Sequence, residues 1–277
     1  MRISMCGLGI MGTNHLRVCK QSHDIVSLYD PIKYNDKDNY LRGLKSSDAL
    51  IISSPTKFHI ANIMEALEVN KNIKILCEKP LTDKTSDATI KQLEDFEDNI
   101  LVGLVERFNP IVQKLKQIIS SQDILQIKTR RVGNIPAREH IDSRLDIGIH
   151  DIDISCFLIG HTPDSIEILS NEQGGISSHE NMFYEIGGIQ VANETSWHYP
   201  FKDRSIEVLT EQGLYKGQYF DQTLEMTDSL CYTRTIEIAR REPLAEQLIE
   251  LEKMVTEQKP SSSTISHSVN LLKLMGY

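Results

Sequence analysis

Three groups of residues in this chain have types and spacings suited to chemistry. The first is Gly7-Leu8-Gly9-Ile10-Met11-Gly12, a G-x-G-x-x-G loop. Gly7 permits a tight turn, Gly9 lets the backbone approach a pyrophosphate, and Gly12 lets a helix pack closely on the preceding strand. The helix opening there offers free N–H groups and positive potential to phosphates. Asp30 lies 18 residues beyond Gly12, where a carboxylate accepts hydrogen bonds from the adenosine ribose hydroxyls. A carboxylate at that place also repels a 2′-phosphate, which favours NAD over NADP. The bland alternative is a tight turn with an exposed Asp before Pro31. The second group is Cys77-Glu78-Lys79-Pro80, at the carboxyl end of an expected parallel strand, the edge where open α/β sheets bind ligands. Pro80 restricts Lys79 to extended backbone and so fixes where its ammonium points. A surface Lys beside a Glu is the competing reading, and the motif by itself does not decide.

The third group is Asp146-Ile147-Gly148-Ile149-His150-Asp151-Ile152-Asp153. Read as a helix, it puts Asp146, His150 and Asp153 at i, i+4 and i+7 on one face. A carboxylate one turn from an imidazole orients it and raises its basicity, which suits proton abstraction from an alcohol. Gly148 costs such a helix about 1 kcal/mol relative to Ala and points to a close approach there. The same residues also fit a helix N-terminus with dipole-favoured aspartates and a solvated His. A metal site is disfavoured, because the single His has no convergent second set of ligands. Arg107, in Glu106-Arg107-Phe108-Asn109-Pro110, and the Arg130-Arg131 and Arg138 group around Gly133 and Pro136 have the chemistry to clamp a diphosphate bidentately. Surface salt bridging is equally open for each of them. Trp197 reads as an inward-facing strand residue, and Cys77 and Cys156 as buried, inert thiols.

Elements must position these groups. Arg2–Cys6, Ile25–Tyr29, Ala49–Ser53, Ile73–Cys77 and Ile100–Val105 are β-type runs. They alternate with helical patterns reaching to about Lys20, over Ile60–Leu67 and from about Lys84 to Glu97, with a short helix at Tyr40–Leu44. Strands alternating with helices imply right-handed βαβ units, a parallel sheet and a doubly wound α/β domain. After about Glu106 the texture changes to a helix over Ile111–Ile119, a long strand over Ile124–Val132, a polar loop and a helix over Asp146–Ile159. From Ser165 to Ala239, β-type runs separated by glycine turns read as a mostly antiparallel sheet. Two helices close the chain, about Pro243–Glu257 and Ile265–Met275. The expected architecture is a Rossmann domain over 1–106 and an α+β domain with a large open sheet over 107–277, whose closing helices can pack back on the first.

Composition narrows the function. The 277 residues carry 30 Lys+Arg against 39 Asp+Glu, a net charge of −9, which argues against wrapping nucleic acid or coating an anionic membrane. No apolar run is long enough to span a bilayer, and the glycine loop follows the first residues too soon for a signal peptide. Five scattered cysteines, none in a C-x-x-C pair, suit reduced thiols in a cytoplasmic protein rather than disulfides or a zinc site.

In order, GLGIMGTNH (7–15), Asp30, SSPTKFH (53–59), CEKP (77–80) and DIGIHDID (146–153) resemble the glucose–fructose oxidoreductase / inositol dehydrogenase / MocA family. The resemblance extends over nearly the whole chain, since EPLAEQLIELEKMVTEQKP (242–260) is similar to that family's closing helix. It implies hydride transfer with NAD, and carries Lys79, Asp146 and His150 over as the residues at the reacting alcohol. It places Gly7, Gly9, Ile10, Met11, Gly12, Asp30, Ser53, Ser54, Pro55, His59, Glu78 and Lys79 around the cofactor. It places Arg107, Asn109, Arg131, Arg138 and His150 around the substrate. ERFNP (106–110), RRVGNIP-x-R (130–138) and SWHYPFKDRSIEV (196–208) resemble the subgroup of UDP-N-acetylglucosamine 3-dehydrogenases, which oxidise the sugar's 3-hydroxyl. A free polyol of the inositol type is the alternative substrate, and a non-catalytic NAD- or sugar-responsive regulator the alternative of another class. The family's open sheet, whose bare face needs a partner, implies a homodimer or homotetramer. One departure stands out: residues 31–52 are short for the further helix and strand that the family fits there.

Overall fold

A computed structural model describes residues 1–83, 85, 88–134, 142–173 and 176–277. The chain forms two compact units: residues 1–104 with 244–273 and 277, and residues 105–243 with 274–276. The closing segment, 244–273, groups with the first unit.

In the first unit the elements run β1 (Arg2–Cys6), α1 (Ile10–Cys19), β2 (Asp24–Tyr29), α2 (Lys37–Ser46), β3 (Ala49–Ile52), α3 (His59–Val69), β4 (Lys74–Glu78), α4 (Ala88–Glu94) and β5 (Ile100–Gly103). All five strands are parallel in the order β2-β1-β3-β4-β5. Ala49–Ile52 and Ile100–Gly103 are buried at every position, as expected of strands covered on both faces. Register aligns the strand ends in one row: Tyr29, Cys6, Ile52, Cys77 and Val102. Gly7, Asp30, Ser53 and Glu78 each follow one residue later, so the glycine loop, the Asp30 carboxylate and the E-K-P turn share one edge of the sheet. That alignment is what positions the first group of chemical residues.

Several boundaries are set locally. The helix expected at Tyr40–Leu44 begins earlier, because the Asp36 side chain caps it by accepting the Asn39 N–H at 2.9 Å. The helix expected from Lys84 is described only over Ala88–Glu94, with Lys84, Ser86 and Asp87 outside the described residues. The last strand stops at Gly103, and Val105–Phe108 is a 3₁₀ turn. The short segment after Asp30 keeps its helix, α2, but contributes no strand beyond β2, which is left as the sheet's edge.

The second unit contains α5 (Pro110–Ile118), β6 (Ile124–Asn134), α6 (Ile149–Ile159), β7 (Glu167–Gln173), β8 (Ile176–Ile186), β9 (Ile189–Ser196), β10 (His198–Thr210), β11 (Gly213–Gln218), β12 (Thr223–Asp228) and β13 (Thr233–Ile236). The eight strands order β13-β12-β11-β10-β6-β9-β8-β7, antiparallel except for the parallel pair β6–β9. Trp197 is buried, as its inward reading expects. Finally, α7 (Pro243–Thr256) and α8 (Ile265–Leu274) close the chain. The segment between them meets β5 in the first unit through Val102 N–H donating to the Ser263 carbonyl at 2.9 Å.

The interior of the second unit gives partners to several residues of the expected substrate set. Arg131 is 2% exposed: its Nε and Nη2 donate to Asp151 at 2.9–3.2 Å, and its Nη1 to Glu106 at 3.1 Å. Burial opposes its charge, but Asp151 and Glu106 outweigh that and raise its pKa. Arg107, also buried, donates Nε to Asp153 at 3.2 Å, joined by a second contact from Nη2, and lies 5.0 Å over the Phe157 ring. Asn109 caps α5, accepting the Ile111 N–H at 3.1 Å. Arg131 and Arg107 thus pair with carboxylates of their own unit, and Asn109 caps one of its helices. Arg138 lies outside the described residues.

Removing one partner of the buried pair leaves an uncompensated charge. Asp151→Ala is expected to cost about 3–5 kcal/mol, read from urea unfolding midpoints. The double change Arg131→Met with Asp151→Leu should cost much less than the two single losses together. Strict additivity would refute the pairing. The thiols give a second check. Cys6, Cys19, Cys77 and Cys156 are buried and Cys231 is exposed. Burial pushes Cys19 and Cys156 up to about 12 and Cys6 to about 11. A thiol reagent near neutral pH should therefore titrate one fast equivalent in the native protein, lost in Cys231→Ser, and all five only after unfolding.

Candidate active site

In the first unit the glycine loop is a place of forced closeness. Gly7 has φ +90°, a left-handed conformation, and a Cβ on it would stand 2.4 Å from the Ser54 nitrogen. A Cβ on Gly12 would stand 2.1 Å from the Gly7 carbonyl oxygen. Ser53 closes the same knot, its Oγ donating to the Gly7 carbonyl at 2.8 Å. Gly9 has nothing within 4 Å of its missing Cβ, so it faces open space at the start of α1. No side chain caps that helix end, and Ile10 is 86% exposed with Met11 beside it. Uncapped N–H groups, an open glycine and exposed apolar side chains together make a cradle into which an anionic, partly apolar dinucleotide fits.

Asp30 sits where the motif expects it. Its Oδ2 accepts the Leu8 N–H at 2.8 Å, and its Oδ1 accepts those of Ile32 and Lys33 at 3.0 and 3.1 Å. Partial burial alone would lift its pKa, but these donors and the Lys33 charge hold it below the usual value. Asp30 and Tyr34 exchange backbone hydrogen bonds that close the turn. Lys33, which the motif does not mark, donates from Nζ to the Leu8 carbonyl at 2.6 Å.

Two buried histidines brace the E-K-P turn. His15, in the middle of α1, stands 2.7 Å from Glu78 Oε1, with both residues almost wholly buried. This ties the dinucleotide helix to the residue just before Lys79. His59 opens α3, with Nε2 2.7 Å from the Ser54 carbonyl oxygen and Nδ1 3.0 Å from that of Pro80. Burial draws its pKa below the ordinary imidazole value. Ser54 Oγ in turn accepts from Asn62 at 2.9 Å. Lys79 is half-buried, and its N–H lies 3.3 Å from Glu78 Oε2. Sequence reasoning passed over His15; its one visible signal is its place on α1, one turn past the glycines.

In the second unit Asp146 and His150 do not share one regular helix. Arg144–Gly148 is a turn of π-helix, and α6 begins only at Ile149. Asp146 is buried in the π turn and His150 in the first turn of α6. Wider π turns cluster at functional positions and change which side chains align. Asp153, on α6, accepts from Arg107. The close approach that Gly148 promised is to the sheet: a Cβ there would stand 2.9 Å from Met182 Cε and 3.0 Å from Thr195 Cγ2. Glu180 on β8, which carried no motif, anchors the turn's start by accepting the Ser143 hydroxyl at 2.7 Å and the Arg144 N–H at 2.6 Å. A buried carboxylate on the first N–H groups of a helical segment satisfies donors that have no partner within it. Among the described residues, no group of three His, Cys, Asp or Glu gathers as a metal site, and no helix is long and apolar enough to cross a membrane.

Comparison with known proteins agrees with this geometry. Residues 1–99 match an oxidoreductase family with an NAD-binding Rossmann fold, Gfo/Idh/MocA. The uncharacterised oxidoreductase YrbE of Bacillus subtilis (strain 168) is 31% identical over 157 residues, 52% of this chain and 43% of its own. Inositol 2-dehydrogenase 2 of Mycolicibacterium vanbaalenii is 23% identical over 196 residues, 61% and 56% of the two chains. The chain thus spans about half the length of these curated relatives. The solved structure of UDP-N-acetylglucosamine 3-dehydrogenase GnnA from Acidithiobacillus ferrooxidans superposes with a TM-score of 0.85 at 18% identity, covering 99% of this chain and 96% of that one. At that identity the likeness speaks for the fold alone. Residues 1–99 are thus an NAD-binding Rossmann module that matches the glucose–fructose oxidoreductase / inositol dehydrogenase / MocA oxidoreductase family.

Proposed function

We propose that the chain oxidises a secondary hydroxyl of a sugar or sugar-like substrate, and that the substrate is UDP-N-acetylglucosamine, reacting at its 3-hydroxyl. The observation that carries the reading is the brace on the E-K-P turn. Lys79 follows a glutamate held at 2.7 Å by His15 of the dinucleotide helix, so its backbone is fixed beside the strand ends that carry the glycine loop. Bound NAD supplies the hydride acceptor. The alcohol carbon loses a hydride, its oxygen loses a proton, and a ketone forms.

In this reading His150 takes that proton and Asp146 orients and charge-balances the imidazole. Lys79 donates to the oxygen as its charge develops, a contact stronger in the transition state than in the ground state. Gly7, Gly9, Ile10, Met11, Gly12, Asp30, Ser53, Ser54, Pro55, His59 and Glu78 bind and shape the cofactor side. The nucleotide-sugar assignment rests on motif likeness. The free polyol, as second reading, gains support from Arg107 and Arg131, both spent on buried carboxylates. Function as a soluble homo-oligomer assembled on the open sheet completes the proposal.

Lys79→Ala is expected to lower kcat by about 10²–10⁴-fold while calorimetry finds NAD affinity within about threefold. Retained turnover would sink the assignment of Lys79. Reduced-nicotinamide absorbance with UDP-N-acetylglucosamine and with myo-inositol, in separate wells, decides the substrate. Signal with the polyol alone discards the nucleotide sugar. Silence with both, while NAD binds, favours the regulator.

A further inference from the structure

We propose that Lys33 makes the ribose end of the cofactor site tolerant of a 2′-phosphate, so that the chain binds NADP nearly as well as NAD. This rests on the cofactor assignment to the Gly7–Gly12 loop and Asp30. A carboxylate offers about four acceptor positions. In Asp30 three are already taken, by the N–H groups of Leu8, Ile32 and Lys33. One position remains, enough for one ribose hydroxyl and not for two. The 3′-hydroxyl is common to both cofactors, so a carboxylate with one vacancy can hold it without reading the 2′ position.

The second observation is charge. The Lys33 ammonium bonds the Leu8 carbonyl at 2.6 Å, while the N–H of the same Leu8 bonds Asp30 at 2.8 Å. Carboxylate and ammonium thus flank a single residue of the glycine loop. A lysine has three donors and Leu8 takes one, which leaves donors for a phosphate. The Asp30–Tyr34 backbone pair closes the turn and holds Lys33 at that distance. At the ribose edge the fields of −1 and +1 largely cancel, so the repulsion expected of Asp30 alone is offset. The absence of a strand beyond β2 is consistent with this, because the edge is built by a closed turn of five residues, Asp30 to Tyr34.

Calorimetric titration of the full chain with NAD⁺ and with NADP⁺ tests the idea without any substrate. The two dissociation constants are expected within about tenfold of each other at low salt. Lys33→Glu, at an exposed position, should weaken NADP⁺ by about tenfold or more and NAD⁺ by less than about threefold, with an unchanged urea midpoint checking the fold. Added salt should narrow the effect of the substitution. NADP⁺ binding more than about tenfold weaker than NAD⁺ in the unmodified chain would overturn the proposal, as would a Lys33→Glu variant that shifts both equally. Failure of NAD⁺ itself to bind would instead overturn the cofactor site.

Discussion

The Gly7 carbonyl leaves no room for a Cβ on Gly12, and Ser53 Oγ donates to that same carbonyl. Three chain segments, the end of β1, the start of α1 and the end of β3, are therefore drawn onto one atom. The helix starts hard against the sheet, with its first N–H groups unspent. Because α1 is held so close, His15 in its middle reaches Glu78 at the end of β4, two strands away from β1. Positioning of the phosphate cradle and of Lys79 is thus one problem with one solution. A side chain at residue 12 would disturb both.

The second unit solves a different problem: how to keep several carboxylates under a sheet. Asp151, Asp153 and Glu180 are all fully buried, and each is matched by a specific donor set. Asp151 meets Arg131, Asp153 meets Arg107, and Glu180 meets the opening of the π turn. Buried ion pairs add little net stability over apolar packing, but an unmatched member is costly. Such pairs therefore select one arrangement strongly. Here the arrangement selected is the one that brackets Asp146 in the π turn and His150 in the first turn of α6.

Legibility followed the physics of each signal. Strand ends, glycine loop, Asp30 and the E-K-P motif were readable because their requirements are local: a positive φ, a close approach, a carboxylate at a strand end. The helix over 146–159 was readable in existence but not in kind, since a π turn has no periodicity signature that five residues can show. The arginines were legible as charges but not in their partners, because charge type says nothing about burial. Arg131 is a ligand clamp or an internal fastening depending on whether Asp151, twenty residues later, faces it. Glu180 and His15 were invisible for the same reason, their meaning lying in partners 36 and 63 residues away.

The short segment after Asp30 shows how a deletion can change chemistry without touching a motif. Fewer residues between β2 and β3 leave a helix but no added strand, and the chain must turn back at once after Asp30. A tight turn demands that its first residue satisfy the amides that follow, and an aspartate does so with its side chain. The carboxylate that elsewhere would be spent on a ribose is here shared with the turn that carries it. Specificity at such a position is governed less by which residue is present than by how many of its acceptors the backbone has already claimed.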